Sequence, residues 1–540
     1  MRRLAASPEL GVINMPKSNL RSKFTRTYRV TEDLLLDIFA DDKAVRRVST
    51  YLAGVRNGKE VDLRTGFWNN RDRHEIAQEW LSRLDPSLPE EILDLENQQL
   101  LKIGPLSIQL PFTERIETIS PYYERPVCLV DGMLLASSIS EFLESFPRSG
   151  VLVPLKYANA MSLMQPSTNS GVPYFRKRSQ VRELDLNLAQ SGKWAEMRMM
   201  AVIGWRGQSS GSSVPKQRAV WMFPQSVNLA EVIYFLPMLN LMKKFCHQVG
   251  AWIGPDEVDV RVTRLMKHAE SNHVNILSSD FSGYDQRLWA GGLQDFAFKA
   301  MSSLFQARYT RFISDLFDKS SWIPLLTPDE VYFGEHGEPS GSNLTNMRDT
   351  LINWILNIYV AKRLGTKLGP FSQFQGDDAV VYHDKEQDLD RVLKEYDTLG
   401  LVANKDKQHF GRNVLYLQRL HTINHKVGEV YPGVYPTLRA LNSLMGMERW
   451  HTDWDAKMAS IRAIMILENC KNHPQHEAFI DFVAEGDDLG LGKRSPGGVR
   501  GLLSKHNLNN AKSIAGFVNT YNAPKLAGIH QFATVKYLEK

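Results

Sequence analysis

Gly376, Asp377 and Asp378 stand between two apolar stretches, with Phe371 and Phe374 before them and Ala379, Val380, Val381 and Tyr382 after. Apolar runs broken by a glycine and two short acids predict strand, tight turn and strand, with both carboxylates at the hairpin tip. Upstream, the apolar run Val274-Asn275-Ile276-Leu277 leads into Ser278-Ser279-Asp280-Phe281-Ser282-Gly283-Tyr284-Asp285. Two strand ends that each offer an aspartate can share a pair of divalent cations, and such a pair drives in-line phosphoryl or nucleotidyl transfer. Hard cations such as Mg²⁺ take oxygen ligands, usually a few carboxylates completed by substrate phosphates. Each fragment alone is weak. Asp-x4-Asp pairs are mostly solvated surface acids, and Gly-Asp-Asp recurs at Gly486-Asp487-Asp488. No strand follows that second copy, which runs into Leu489-Gly490-Leu491-Gly492 and is expected to be a surface loop.

The chain that must position these acids has 540 residues, 43% apolar and 23% charged, with a net charge of +5. This suits a soluble globular protein of several subdomains. The mild basicity permits a nucleic-acid partner without requiring one. Cys128, Cys246 and Cys470 lie far apart, so neither a disulfide framework nor zinc spacing is expected, and a reducing compartment fits. No apolar run reaches the ~18 residues of a membrane span. The N-terminus carries Arg2, Arg3, Lys17, Arg21, Lys23, Arg26 and Arg29 against Glu9, and it lacks the apolar core of a secretory signal. It reads as a basic arm that packs on the protein or touches RNA, with a mitochondrial presequence as the alternative.

Amphipathic spacing predicts helices over 30–39 and 74–84 within a mostly helical stretch to about residue 100. Residues 166–224 are rich in Ser, Gly, Arg and Lys, and helices are expected over 229–249 and 291–317. A Gly-Ser loop at 340–344 runs into an apolar helix ending near 364. After the acidic hairpin come a helix over 387–399, a short strand pair near 410–430, and a mainly helical tail broken by a glycine-rich loop over 486–501.

The order of these parts, from about residue 168 to 439, resembles the palm of viral RNA-dependent RNA polymerases. Within them it is most similar to those of double-stranded RNA viruses of the picobirnavirus and partitivirus type. The resemblance implies an α/β (α+β) right-hand fold with fingers, palm and thumb, closed by an N-terminal bridging segment. The implied division is a bridge over 1–69, fingers over 70–265 and 291–338, palm over 266–290 and 339–428, and thumb over 429–540.

It also implies roles. Asp280 and Asp377 would be the main ligands of two metal ions, Mg²⁺ or alternatively Mn²⁺, with Asp378 a weaker one. Asp285 would face the ribose of the incoming nucleotide, helped by Thr345 and Asn353 at the 2′-hydroxyl that marks RNA. Ser340 and Gly341 would let template and nucleotide approach the backbone closely. Arg206, Lys216 and Arg218 match the basic motif that holds triphosphates. Thr168, Ser170 and Gly171, with Arg176, Lys177 and Arg178 behind them, resemble the motif that contacts template RNA. Lys407, or failing it Lys405, would be the general acid. Arg419 would lie near the nascent strand, and Arg439 where the thumb begins. The partners implied are template and nascent RNA and ribonucleoside triphosphates, with a viral capsid protein left open and no membrane. The implied setting is the virion interior or host cytoplasm. Two rivals keep parts of this pattern. A reverse transcriptase would keep the metal acids but lack ribose-sensing residues, and an RNA-binding structural protein would keep only the basic loops. A metal nuclease would need a water-activating cluster, and none stands out.

Overall fold

The structure, a computed structural model, describes residues 26–164, 166–193, 199–514 and 526–540. Of the basic N-terminal positions, Arg2, Arg3, Lys17, Arg21 and Lys23 lie outside the described residues.

Eleven strands are seen among the described residues: β1 (Arg26–Arg29), β2 (Ala201–Gln208), β3 (Lys216–Met222), β4 (Ile276–Ser279), β5 (Leu325–Leu326), β6 (Glu330–Phe333), β7 (Gln373–Gln375), β8 (Asp378–Val381), β9 (His409–Gly411), β10 (Val414–Tyr416) and β11 (Arg419–His421). A four-stranded antiparallel sheet, in the order β7-β8-β4-β9, carries the acids. Its central strand β4 is buried throughout, which explains its lack of polar alternation. On one face the sheet packs on the helix Pro255–Ser271 through Val258, Val262, Val380 and Tyr382. On the other it packs on the helix Thr345–Arg363 through Leu351, Ile355, Phe374 and Val381. That second helix is buried nearly all round, as a helix that crosses a core must be.

A second sheet, in the order β1-β6-β5-β2-β3, contains the β2–β3 hairpin. It shares a core with the helix Asp42–Asn57 through Val48, Leu52, Val202 and Trp221. A third core joins Phe67, Ile76 and Trp80 to the helices Thr437–Met445, Ala456–Leu467 and His476–Gly486. Residues 67–103, mostly expected in the fingers, therefore pack with the C-terminal helices. Glu96 secures this union. Pro436 precedes the helix Thr437–Met445 and has no side chain to cap it, and the Glu96 carboxylate accepts instead from Thr437 N at 2.6 Å and Leu438 N at 2.9 Å.

The second Gly-Asp-Asp corrects an expectation. It is not a surface loop, because Asp487 is only 3% exposed. Its carboxylate accepts from Ser460 Oγ and from Leu491 N, both at 2.7 Å. The glycine-rich chain curls around this acid, and Gly486 ends a helix where any side chain would strike the Trp68 indole 2.3 Å away.

Candidate active site

The register of the central sheet brings the acids together. Ser279 pairs with Ala379 and Ser278 with Val380, so the chain leaves β4 at Asp280 beside the start of β8 at Asp378. β7 and β8 close through Gly376 and Asp377 alone, with Gln375 opposite Asp378. Gly376 has φ of 62°, the positive value that primed two-residue hairpin turns require. Asp280 and Asp377 are exposed, and Asp378 is half-buried.

The helix Thr345–Arg363 bolts the hairpin tip in place. Thr350 Oγ1 accepts from Gly376 N at 2.8 Å. Asn353 Nδ2 donates to the carbonyls of Gly376 at 3.1 Å and Asp377 at 2.9 Å. Asn346 Oδ1 accepts from the Gln375 amide at 2.7 Å. On the other side, Gln408 holds the Asp280 backbone at both ends, accepting from its N–H at 3.0 Å and donating to its carbonyl at 2.8 Å. Thr350, Asn346 and Gln408 were not anticipated. For the two on the helix the signal was available: Asn346, Thr350, Asn353 and Asn357 recur at helical spacing along it.

Asn353 itself is corrected. It is fully buried, its amide nitrogen is committed to the hairpin, and its Oδ1 accepts from Asn357 Nδ2 at 3.0 Å. Helix phase explains the difference. Thr345 begins the helix, so position 353 lies two turns in, beneath the hairpin, while Asp349 lies one turn in and within reach of Asp285. Asp349 Oδ1 is buried without a hydrogen-bond partner. Burial raises the Asp349 carboxyl well above the usual carboxylate range, followed by the charges of Asp285, Glu338 and Asp377, with Arg348 opposing. Asp285, half-buried, is pushed up to about 7 by burial, then by Asp377 and Glu338, while Arg218 pulls it down. Asp378 is likewise pushed up to about 7 by burial and by Asp377 and Asp280, against Arg439.

The loop before this helix is tied to buried charges. Arg348 is fully buried, donating to Glu338 at 2.8 Å and lying 3.5 Å from Glu231. Glu231 also accepts from Ser342 Oγ and Asn343 N, both at 2.8 Å. Gly341 touches β3, since a Cβ there would lie 1.5 Å from the Trp221 carbonyl oxygen. The close approach it permits is thus to protein backbone. Ser340 is half-buried, and its hydroxyl has no hydrogen-bond partner. The Thr345 hydroxyl is 3.1 Å from Glu338 Oε1 and 3.0 Å from the Pro339 carbonyl, and Glu338 N in turn donates to the Asp285 carbonyl at 2.7 Å.

Arg206 and Arg218 sit directly across the β2–β3 hairpin, and Lys216 faces Gln208 at its far end. All three cations are exposed. Arg206 also lies 3.4 Å from Glu448 of the C-terminal region. Thr168, Arg176 and Lys177 are exposed. Ser170 is corrected: it is fully buried, its hydroxyl accepts from Arg176 N at 3.3 Å, and it shapes the loop from inside. Gly171, at φ of 65°, packs against the Phe223 carbonyl, and Arg178 is half-buried beside the buried Asp185. Arg419 is corrected too. It is 3% exposed, donates to the carbonyls of Gly433 at 3.3 Å and Asn469 at 3.0 Å, and lies 5.5 Å over the Tyr435 ring. Lys407 is exposed on the turn Lys405–Lys407, next to Gln408, whereas Lys405 pairs with Asp390 at 2.7 Å.

Against known proteins, residues 75–424 match the family described as viral RNA-dependent RNA polymerase. The chain belongs to that family. It is 32% identical over 471 residues to the potential RNA-dependent RNA polymerase of human picobirnavirus, covering 83% of this chain and 86% of that one. It is 25% identical over 268 residues to the RNA-directed RNA polymerase of Cryptosporidium parvum virus 1, covering 45% and 49%. The crystal structure of a human picobirnavirus RNA-dependent RNA polymerase superposes with a TM-score of 0.83 at 28% identity, over 95% of this chain and 99% of that one. Its insertion-loop deletion mutant gives a TM-score of 0.81 over the same shares. The architecture is the right-hand polymerase fold of that structure. No helix among the described residues is long and apolar enough to cross a membrane.

Proposed function

We propose that this polymerase replicates and transcribes the genome of a double-stranded RNA virus by two-metal nucleotidyl transfer from ribonucleoside triphosphates. The observation that carries this reading is the β4–β8 register, which sets Asp280 beside the tip that bears Asp377 and Asp378. Among the described residues, no three or more acids, histidines or cysteines form a group that could hold a metal ion as they stand. Mg²⁺ is usually bound through one or two carboxylates and keeps its other positions for water and substrate phosphates. Asp378 is raised first by burial and then by the charges of Asp377 and Asp280, and a cation would relieve that repulsion. Asp280 and Asp377 would hold the two ions, with Asp378 supporting them. When bound, they activate the attacking 3′-hydroxyl oxygen and stabilise charge on the leaving pyrophosphate.

The remaining work falls to side chains. Arg206 and Arg218 are like charges directly opposed on a hairpin, with the Glu448 carboxylate 3.4 Å from Arg206 to offset them in part, so a further anion lying over both is favoured. A triphosphate supplies that anion, and Arg218 is close enough to Asp285 and Asp377 to keep it over the acids. Burial, and after it the charges of neighbouring acids, raises both Asp285 and Asp349, and a carboxyl kept protonated there could donate to a ribose 2′-hydroxyl while an ionised one accepts from it. Lys407, on the turn that holds Asp280 through Gln408, would protonate pyrophosphate. Thr168, Arg176 and Lys177 would meet template phosphates.

Purified protein with primed template RNA and ribonucleotides tests this. Asp280→Asn and Asp377→Asn should each abolish extension while the melting temperature stays near that of the parent. Substantial synthesis by either variant refutes the two-metal assignment.

A further inference from the structure

The loop that carries Thr168, Arg176 and Lys177 is a small hairpin with its tip turned inward. Ser170 N donates to the Arg176 carbonyl at 2.7 Å and Arg178 N to the Thr168 carbonyl at 2.8 Å, which joins the two arms. At the tip Gly171, Val172, Pro173 and Phe175 are buried, while Arg176 and Lys177 on the outgoing arm are exposed. Phe175 has φ of 47°, a left-handed value that a bulky residue keeps only where its surroundings hold it.

Those surroundings come from the N-terminal part of the chain. Ala40 N donates to the Pro173 carbonyl at 3.0 Å. On the helix Asp42–Asn57, Arg47 Nη2 donates to the Tyr174 carbonyl at 2.8 Å and Arg47 Nε to the Phe175 carbonyl at 3.1 Å. The Phe175 ring meets Phe39 edge-on with centroids 6.2 Å apart, and Tyr51 at 5.4 Å. Tyr51 lies one turn beyond Arg47 on the same face, and its hydroxyl donates to the Ile203 carbonyl of β2 at 2.9 Å. The helix therefore sets the loop relative to the strand that carries Arg206.

Three consecutive carbonyls, those of Pro173, Tyr174 and Phe175, are thus taken up just before the two exposed cations. Arg47 supplies two of the three donors from one rigid fork, which fixes the angle between neighbouring peptide planes as a lysine ammonium cannot. Those donors are spent on protein backbone, so any effect of Arg47 on RNA runs through the loop.

We propose that Arg47 is a positioning residue for template RNA: by holding the Tyr174 and Phe175 carbonyls, it fixes the direction in which Arg176 and Lys177 leave the buried tip. This rests on the reading of Arg176 and Lys177 as template contacts and adds the residue that aims them.

The test measures extension while primed template is titrated, for Arg47→Gln and Arg47→Lys, each alone and combined with the pair Arg176→Ala, Lys177→Ala. Arg47→Gln should raise the apparent KM for template about fivefold or more, with kcat and the KM for nucleotides within about twofold of the parent. Arg47→Lys keeps the charge and the stem but loses the fork, so its template KM should stay about threefold or more above the parent. It carries the test should Arg47→Gln fail to fold. In the Arg176→Ala, Lys177→Ala background, either change should add less than about twofold, because residues that act through one another are not additive. A lowered melting temperature with parental template KM would show a merely structural role and overturn the proposal. Full recovery by Arg47→Lys would overturn it too, since charge alone would then suffice, as would an undiminished rise in the double-alanine background. A parental template KM for Arg176→Ala, Lys177→Ala refutes the template reading on which the proposal rests, and a parent protein that extends no primer refutes the polymerase reading, so the failures stay apart.

Discussion

Replacing Asn353 by alanine separates two roles that a buried amide near a polymerase site could have. In the structure, Asn353 Nδ2 ties down the carbonyls of Gly376 and Asp377 at 3.1 and 2.9 Å and faces no open space. Leaving carbonyls unsatisfied costs about 1–3 kcal/mol each, so losing both should loosen the hairpin tip by about 2–6 kcal/mol. Thr350 still holds Gly376 N at 2.8 Å, so the turn stays formed but drifts. Misplacing a reacting group by about 1 Å can lower the rate by about 100-fold. The loss should fall on kcat and should be equal for ribo- and deoxyribonucleotides, because the metal acids are shared by both. Asp349→Ala should behave in the opposite way. A site built around a hydroxyl discriminates by leaving its own polar groups unpaired, so their removal should cut the ribose preference by about tenfold or more. The assay is single-nucleotide extension with paired ribo- and deoxyribonucleotides for parent and both variants. An Asn353→Ala enzyme with near-normal kcat on ribonucleotides but a collapsed preference would refute this assignment and restore Asn353 to the ribose.

Other outcomes follow from the same structure. Arg218→Ala should raise KM for nucleotides and also slow the chemical step, since a triphosphate clamp acts before and during reaction; parental steady-state kinetics would return Arg218 to a solvated strand position. His383 is buried with Nδ1 2.8 Å from Thr366 Oγ1, and burial lowers it to about 4. Its neutral form stabilises the fold above pH ~6.5, and that contribution is lost as pH falls from there toward about 4. Asp185, raised to about 7 by burial, works in the opposite sense, so the readout is the difference between parent and His383→Asn. The variant's melting temperature should fall less steeply between pH 6.5 and 4.5, and parallel curves would contradict this. Gly486→Ala should lower the melting temperature through its clash with Trp68, costing about 1–3 kcal/mol, and an unchanged melting curve would show that the indole moves freely.

The sheet that carries the acids was legible because it obeys local rules. Apolar runs, a glycine at the turn and paired acids suffice to place strand ends, and the helix Thr345–Arg363 was visible from its length and apolarity. What failed to show was direction. Arg419 is a cation beside a turn, and the carbonyls that turn it inward, Gly433 and Asn469, come from chain that packs on it only once folded. Ser170 is a small hydroxyl like many that meet phosphates, yet here it satisfies its own loop. Asn353 was misread through helix phase. Asn353 falls two turns into the helix, beneath the hairpin it ties down, while Asp349 falls one turn in. In each case the residue type was right for the chemistry, and long-range packing decided whether it reached the cleft.

The two Gly-Asp-Asp copies show how much of that judgement rests on context. Asp377 is exposed between antiparallel strands, next to Asp280, with its backbone held by Asn353. Asp487 is buried, and its carboxylate is spent on Ser460 and Leu491. Asp487 lies in no strand of the described sheets, whereas Asp280 and Asp378 are brought together by the β4–β8 pairing as a metal pair requires. Asp487→Asn with Asp488→Asn should therefore act on stability. Asp487 sits where an amide cannot accept two hydrogen bonds as strongly as a carboxylate, so a loss of about 1–3 kcal/mol is expected in the C-terminal core. Well below the melting point, extension should stay within about threefold of the parent, under ~1 kcal/mol in barrier. Asp377→Asn with Asp378→Asn should do the reverse, leaving the melting curve near parental and extension absent. Were both pairs to lose activity while remaining folded, the choice of active-site copy would be wrong.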